Sequence, residues 1–521
     1  MAESPMTSYT ISLGETAQFS PIFLDYLQKK EQLQPFYGHF PAVETFGDEL
    51  RVKLESFSLS NREVLYQTLE KQYSHLSAKP DLAVLKDRRT FTVTTGHQLN
   101  IFTGPLYVIY KLITTVNLAK ALKVHYPDYH FVPVYWMATE DHDLEEINHF
   151  HLFGKKHRWE TTQTGAVGRM NPRDMDSLIR DLPEKISLFE RAYLQHDTLA
   201  DATRYFTHEL FGQEGLVCVD ADDRALKALF TPVMRDDLTQ HTAQNLVKDT
   251  SQQLESLGYK TQVNAREINL FYLDKGLRER IVKEKDSYQV LNTELVFSEK
   301  ALLALLEREP EKFSPNVILR PLYQETVLPN LAYIGGPAEV VYWLQLKALF
   351  DHYQLPFPVL MPRNFALIIN KASTKRMQKL NLSHQDLFLD EASLKRRFVE
   401  KNADPLRLDG ETASMNQAFD QILAKALKLD KTLEGFVQAE RQKLLKSLDT
   451  IDKRLKKAEE KNQETEINQL LNLKAKLFPD GGLQERSDNY LNFALNHDQF
   501  IQSVSSVFDP FDFQFHILTE A

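Results

Sequence analysis

Two stretches of this sequence concentrate side chains that could do chemistry. One is T-G-H-Q-L-N-I-F-T-G-P, from Thr95 to Pro105; the other is W-M-A-T-E-D-H-D-L-E-E-I-N, from Trp136 to Asn148. In the first, Gly96 and Gly104 are flanked by His97, Gln98, Asn100 and Thr103, and a helical pattern follows. Glycines let backbone N–H groups approach an anion, and the positive end of the next helix adds to the attraction. Phosphate or carboxylate binding is the implied chemistry, with Lys111 as an added cation, although a plain turn and helix cap uses the same residues. The spacing is neither that of a Walker A loop nor that of a dinucleotide-binding fingerprint.

The second stretch is denser in charge. Glu140, Asp141, His142, Asp143, Glu145, Glu146 and His149 fall within ten residues, directly after an apolar run. His142 between Asp141 and Asp143 has the parts of a general base: a titratable imidazole and a carboxylate to orient it. The same groups, His142 with Asp143 or Glu146, have the chemistry of divalent-metal ligands. No H-E-x-x-H is present, and no metal is expected. Acids also favour the first turn of a solvated helix, so a structural role competes. A third cluster is Arg320, Gln324 and the glycine turn Gly335-Gly336-Pro337 with Glu339 just beyond it; Arg363 follows another apolar run. Glu339 suits a substrate amine or the helix dipole, and Arg363 suits a phosphate or carboxylate.

Positioning these groups needs strands. Thr90 to Thr94 alternates and is β-branched, Leu106 to Leu122 carries a broad apolar stripe, and His130 to Met137 is an almost continuous apolar run. Strand, helix, strand is a βαβ unit, and a strand buried on both faces belongs to a parallel sheet. Further strands are predicted at Gly215–Val219, Asn269–Leu273, Asn316–Leu319, Leu331–Ile334 and Pro358–Leu360. Helices are predicted at Phe19–Leu33, Gly47–Lys71, Thr198–Phe211, Leu226–Leu257, Glu299–Arg308 and Ala338–Tyr353. The alternation gives an α/β class, a Rossmann-like parallel-sheet core with inserted connecting subdomains near 151–205 and 225–315. Both chemical stretches then sit at carboxyl ends of strands, where such sheets bind ligands.

From Lys375 to Leu477 the composition changes: Leu, Lys, Glu, Gln and Ala dominate and the one proline is Pro405. Met415, Phe419, Ile422, Ala426, Leu429 and Leu433, then Leu444, Leu448, Ile451, Leu455 and Ala458, step by three and four, which is coiled-coil spacing. The expected organisation is a core over 1–374, a helical coiled-coil domain over 375–478 and a segment over 479–521 that returns to the core. A length of 521 residues is too great for a single domain, and 42% apolar residues suffice for a large core. The net charge of −10 argues against a nucleic-acid binder. The single cysteine, Cys218, lies in an apolar run and reads as a core residue. The N-terminal M-A-E-S-P-M-T-S has no leader pattern and no run is long enough to span a membrane, so a cytoplasmic protein is expected.

Taken together, T-G-H-Q-x-x-x-F-T-G-P-L-Y-x-I-Y-K, W-x-A-x-E-D-H-D-x-x-E-I-N, R-P-L-x-Q-E, G-P-x-E-x-x-Y-W and L-Q-E-R (Leu483 to Arg486) resemble the cysteine-adding enzymes of bacillithiol biosynthesis. The stretch from Phe23 to Tyr37 is similar as well, so the resemblance covers essentially the whole chain. It implies ligation of L-cysteine to glucosaminyl malate, with an amide formed to the sugar amine in the last biosynthetic step. It also implies a Rossmann-like core, a homodimer made by the coiled coil, and adenine-nucleotide (ATP/ADP) binding. On that reading the Gly96–Gly104 loop holds a phosphate or carboxylate. His142, oriented by Asp141 or Asp143, takes the amine proton, and Glu140 or Glu339 binds the cysteine ammonium. Gly96, His97, Gln98, Thr103, Gly104, Lys111, Asn148, Arg320, Gln324, Gly336, Glu339 and Arg363 form the binding set. His97 stands where the family often has glutamine, and Ala338 where it often has glycine. Outside the resemblance, a metal-dependent hydrolase built on Glu140 to Asp143, or a coiled-coil scaffold, would use the same residues.

Overall fold

The computed structural model describes residues 6–76, 78–402 and 408–520; Met1–Pro5 and Pro405, noted above, lie outside them. The chain divides into two compact units, Met1–Ile368 with Gly482–Ala521, and Ile369–Gly481.

At the centre of the first unit is a five-stranded sheet in the order Val359–Pro362, Asn330–Gly335, Thr90–His97, His130–Met137, Val217–Asp220. Every neighbouring pair is parallel. The helix Tyr107–His125 makes the first crossover. It packs Leu118 and Leu122 against Phe91 and Val93 on one face of the sheet, together with Leu331, Ile334, Val359 and Met361. β-branched and apolar residues dominate these strands because both faces are covered.

Chain order decides where a cleft can form. From Thr90–His97 the chain adds strands on one side, at His130–Met137 and then Val217–Asp220. It then returns to the other side of Thr90–His97 with Asn330–Gly335 and Val359–Pro362. Connections leave the sheet in opposite directions on the two sides of this point, and a crevice opens between them at the carboxyl ends. The register keeps those ends level: Gly96 is opposite Trp136, His97 opposite Met137, and Gly335 opposite Pro362.

Several expectations need correction. Asn316–Leu319 is not a strand but a turn into the helix Arg320–Val327. The run at 269–273 is a strand, Leu270–Asp274, but of a separate antiparallel sheet in the order Val296–Ser298, Ser287–Val290, Leu277–Glu284, Leu270–Asp274, Phe313–Pro315. The helix expected at 226–257 is two, Arg224–Thr239 and Thr242–Ser256. They part at His241, whose φ is +57°. The 47–71 and 338–353 helices are likewise each split in two. Periodicity runs on across such breaks because both halves bury the same face.

The C-terminal segment forms the short helix Leu491–Ala494, the helix Phe500–Val507 and the strand Gln514–Glu520, which pairs antiparallel with Met6–Ser12. Cys218 is fully buried in its central-sheet strand, and burial pushes its thiol up to about 12, as expected of an inert core residue.

The second unit is helical. Asp409–Leu429 and Leu433–Asn462 form a hairpin, turned at Asp430, with Phe419, Ala426 and Val437 as its core. Arg441 pins it by donating to Asn416 at 2.6 and 2.9 Å and to Asp420 at 2.9 Å. The expected seam from Met415 to Leu433 therefore spans two helices, and Leu429 lies at the exposed turn. Leu444 and Ile451 face outward, 39% and 48% exposed. Among the described residues no helix is long and apolar enough to cross a membrane.

Candidate active site

A cleft of about 360 Å³ opens at the crossover point, lined by residues of all three chemical stretches. Gly96 and His97 form its floor, Gln98 and Asp141 one side, Arg320 and Gln324 another, and Glu339 the third. Gly96 has a packing reason, since a Cβ there would stand 3.3 Å from the Tyr333 hydroxyl.

The Glu339 wall is saturated. Its Oε2 accepts from the Gly336 N–H at 2.7 Å, which caps the helix Pro337–Leu344, and its Oε1 accepts from the Tyr333 hydroxyl at 2.7 Å. Lys111, buried in the helix Tyr107–His125, pairs with Oε2 at 2.5 Å and donates to the Gly96 carbonyl at 2.8 Å. Lysine and glutamate cancel, so this wall offers no unbalanced charge. His97 lies beside it, half-buried, with Nε2 buried and unpartnered. Burial, then the cations of Lys111 and Arg363, holds its pKa well below the ordinary histidine value, so the ring is neutral.

The Asp141 wall is unsaturated. Asp141 accepts from Gln98 Nε2 at 3.2 Å and from the His142 N–H at 3.0 Å. Two guanidiniums stand off from it, Arg278 at 3.5 Å and Arg320 at 3.8 Å. Burial opposes its ionisation, but His142, Arg320, Arg278 and Gln98 outweigh that and hold its carboxyl well below the usual carboxylate range. Two arginines face this one carboxylate without closing tight pairs, and the Arg320 side chain is a quarter exposed; Glu140 and Asp222 also act on Arg278, and Glu146 lines the same cleft. Arg278 comes from the inserted sheet, on the strand Leu277–Glu284. It stacks 4.0 Å over Phe271, donates to Ser314 at 3.1 Å and reaches His142 Nδ1 at 2.8 Å.

Other expected site residues lie apart from the cleft lining. Glu140 is buried and turned away, paired with the fully buried Lys227 at 2.5 Å; Lys227 also meets Asp222 at 3.1 Å. Burial works against the Lys227 cation, yet the two carboxylates raise its pKa above the ordinary value. Glu140 is thereby committed to an internal ion network. Asp143 is exposed at the start of the short helix Leu144–Ile147, and the carboxylate near His142 is Asp141, at 3.7 Å. Asn148 is buried with its amide 3.3 Å from His149. Arg363 is buried in a pair with Glu485 at 2.6 Å, a partner supplied by the C-terminal L-Q-E-R stretch.

The Gly104 end of the glycine loop is filled by protein. The Gly104 N–H donates to Ile101, the Phe102 N–H to the Tyr193 hydroxyl and the Leu106 N–H to the Asp488 carbonyl. Asn489 Nδ2 clasps the Phe102 and Gly104 carbonyls, each at 2.7 Å. Gly104 has φ +64° and ψ −146°, and a Cβ would overlap Asn100 at 2.4 Å. Gly104 is therefore required by backbone shape, and Thr103, whose hydroxyl is buried, sits in the same turn. The anion-binding expectation narrows to the Gly96 to Gln98 end with Arg320.

Sequence reasoning passed over Arg278, Lys227 and Glu485. Lys227 had a signal: Asp220 to Asp223 is another acidic burst directly after an apolar strand, as at Glu140 to Asp143. Among the described residues no three His, Cys, Asp or Glu side chains are placed to hold a metal ion. The candidate ligands are dispersed, with Glu140 turned inward and His142 met by a guanidinium.

Comparison with known proteins places this architecture. Residues 6–364 match the family described as Bacillithiol biosynthesis BshC, N-terminal Rossmann-like domain, and residues 366–520 match its C-terminal coiled-coil domain. A protein of Flavobacterium johnsoniae named "Putative cysteine ligase BshC" is 42% identical over 99% of this chain and 100% of its own length. Proteins of the same name from Flavobacterium psychrophilum, 42% identical over 99% of this chain and 100% of its own length, and Christiangramia forsetii, 41% identical over 99% of each chain, agree. With both domains matched and full-length relatives above 40% identity, the chain belongs to the bacillithiol-biosynthesis BshC family.

Proposed function

We propose that this protein is a cytoplasmic ligase that joins the carboxyl group of L-cysteine to the amine of glucosaminyl malate in the last step of bacillithiol biosynthesis. The observation that carries the proposal is the loosely paired Asp141 wall with Arg320 partly exposed, in a cleft at the crossover point of a chain related to the cysteine ligases over its whole length. Both substrates bring carboxylates to the reaction, and Arg320 is the cleft cation free to receive one. Asp141, held ionised, is the group suited to an ammonium.

A free carboxylate does not acylate an amine, so the cysteine carboxyl needs a leaving group. ATP is the proposed source, consumed in the reaction. Arg320 would hold its phosphate oxygens better than the Gly104 turn, whose N–H donors are occupied. The cysteine carboxylate attacks a phosphorus of ATP, breaking a phosphoanhydride bond and releasing ADP or pyrophosphate; the sugar amine then attacks the activated carbonyl, forms the C–N bond, loses its proton to solvent and expels the phosphate-bearing group. Thiol profiling of cells lacking the protein tests this. Loss of bacillithiol with accumulation of glucosaminyl malate is expected; an unchanged bacillithiol pool would refute it.

The working unit is proposed to be a homodimer formed through the coiled coil. Phe436, Leu444 and Ile451 expose apolar surface along one helix, 65%, 39% and 48% exposed, a pattern that asks for cover. Replacing Leu444 and Ile451 by lysine should convert a dimer to a monomer in light scattering. A wild-type monomer would remove the idea.

A further inference from the structure

The contact between Arg278 and His142 fixes the chemistry of the imidazole. Arg278 Nη1 lies 2.8 Å from His142 Nδ1. A guanidinium can only donate, so Nδ1 must be the acceptor and cannot carry a proton in this arrangement. The neutral ring then holds its proton on Nε2. The competing partner, Asp141 Oδ1, is farther from Nδ1, at 3.7 Å against 2.8 Å, and is itself faced by Arg278 at 3.5 Å. The clamp is rigid: Arg278 is buried, braced by Ser314 at 3.1 Å and stacked on Phe271, and the imidazole also packs on Phe271 at 5.6 Å between centroids.

We infer that Arg278 is a positioning residue that locks His142 in its Nε2–H form, so that His142 serves the reaction as a hydrogen-bond donor and not as the general base. The inference rests on the ligase reading and deepens it. His142 is not itself among the residues lining the cleft; it stands half-exposed next to Asp141, which is, and its remaining polar edge is a donor. Such a donor matches the carbonyl oxygen of the activated cysteine as amine attack turns it into an oxyanion. Removing one donor of this kind costs about 10²- to 10³-fold in rate. No proton is transferred by His142 in this role.

Glutamine and alanine at position 142 separate donor from base. A glutamine amide places an N–H near the Nε2 position but cannot accept the amine proton. In cells that lack the chromosomal copy, His142→Gln should restore bacillithiol to within roughly tenfold of wild type, and His142→Ala should fall about 10²-fold or more. Equal loss in both would restore the base, and wild-type levels in both would remove His142 from the reaction. Failure of the wild-type copy to restore bacillithiol would instead defeat the ligase reading itself. Imidazole nitrogen NMR on the purified protein gives an activity-independent readout. The Nε2–H form is expected in the wild type, kept in Arg278→Lys and lost in Arg278→Met. An Nδ1–H ring in the wild type, or no change in Arg278→Met, overturns the inference.

Discussion

The two sides of the cleft use similar residues to opposite ends. At Glu339, a carboxylate meets one lysine, one tyrosine and one backbone N–H, all at hydrogen-bond distance, and charge cancels. At Asp141, a carboxylate meets two arginines at 3.5 and 3.8 Å, neither at tight ion-pair distance. Tight, complete pairing stabilises a fold and leaves little for a ligand to gain. Loose pairing leaves hydrogen-bonding capacity that a substrate can take up. The Glu339 side thus reads as scaffold, and on the proposed ligase reading the Asp141 side is the one that meets substrate.

The contrast can be broken by mutation. Lys111→Met should give the largest effect, on stability: removing one partner of a buried pair costs about 3–5 kcal/mol, toward the lower end here because Glu339 is partly exposed. Urea unfolding measures it, and a change under about 1 kcal/mol would mean the pair is not scaffold. Arg320→Ala should do the reverse. Bacillithiol formation should fall roughly 10- to 100-fold, the worth of about 1.5–3 kcal/mol for a charged hydrogen bond, while the melting temperature stays near wild type. A melting temperature that falls with activity left intact would exchange the roles of the two walls.

The smallest effect concerns the floor. His97 has a folded-state pKa well below the ordinary value, so as pH falls below about 6.5 the unfolded chain binds a proton that the folded chain refuses. Stability is therefore full above that pH and declines by about 1.4 kcal/mol per pH unit below it from this residue. His97→Gln should remove that share of the slope between pH 7.5 and 5.5. Identical slopes in the two proteins would show that the ring protonates in place.

Much of this was legible in the sequence, and the rest was not for a definite reason. Thr90–His97, the helix after it and His130–Met137 follow from local pattern, because burial on both faces writes itself into consecutive residues. That Gly96, Gln98, Asp141 and Glu339 share a cleft follows from strand ends and the sense of the crossover, whereas Arg320 joins them from the start of a helix where a strand was expected. What local pattern cannot show is a partner. Glu140 looked reactive until Lys227 was found beside it, and Arg363 looked free until Glu485 was. Arg278 sits more than a hundred residues from His142, in an inserted sheet that sequence reading had not resolved.

The Asn489 clasp on the Phe102 and Gly104 carbonyls has a consequence for synthesis. The glycine turn emerges from the ribosome early, whereas the amide that closes it is made near the end, alongside the Glu485 that neutralises Arg363. A nascent chain carries an unclosed glycine turn through most of its translation. Products released before Asn489 would lack the amide that closes the glycine turn.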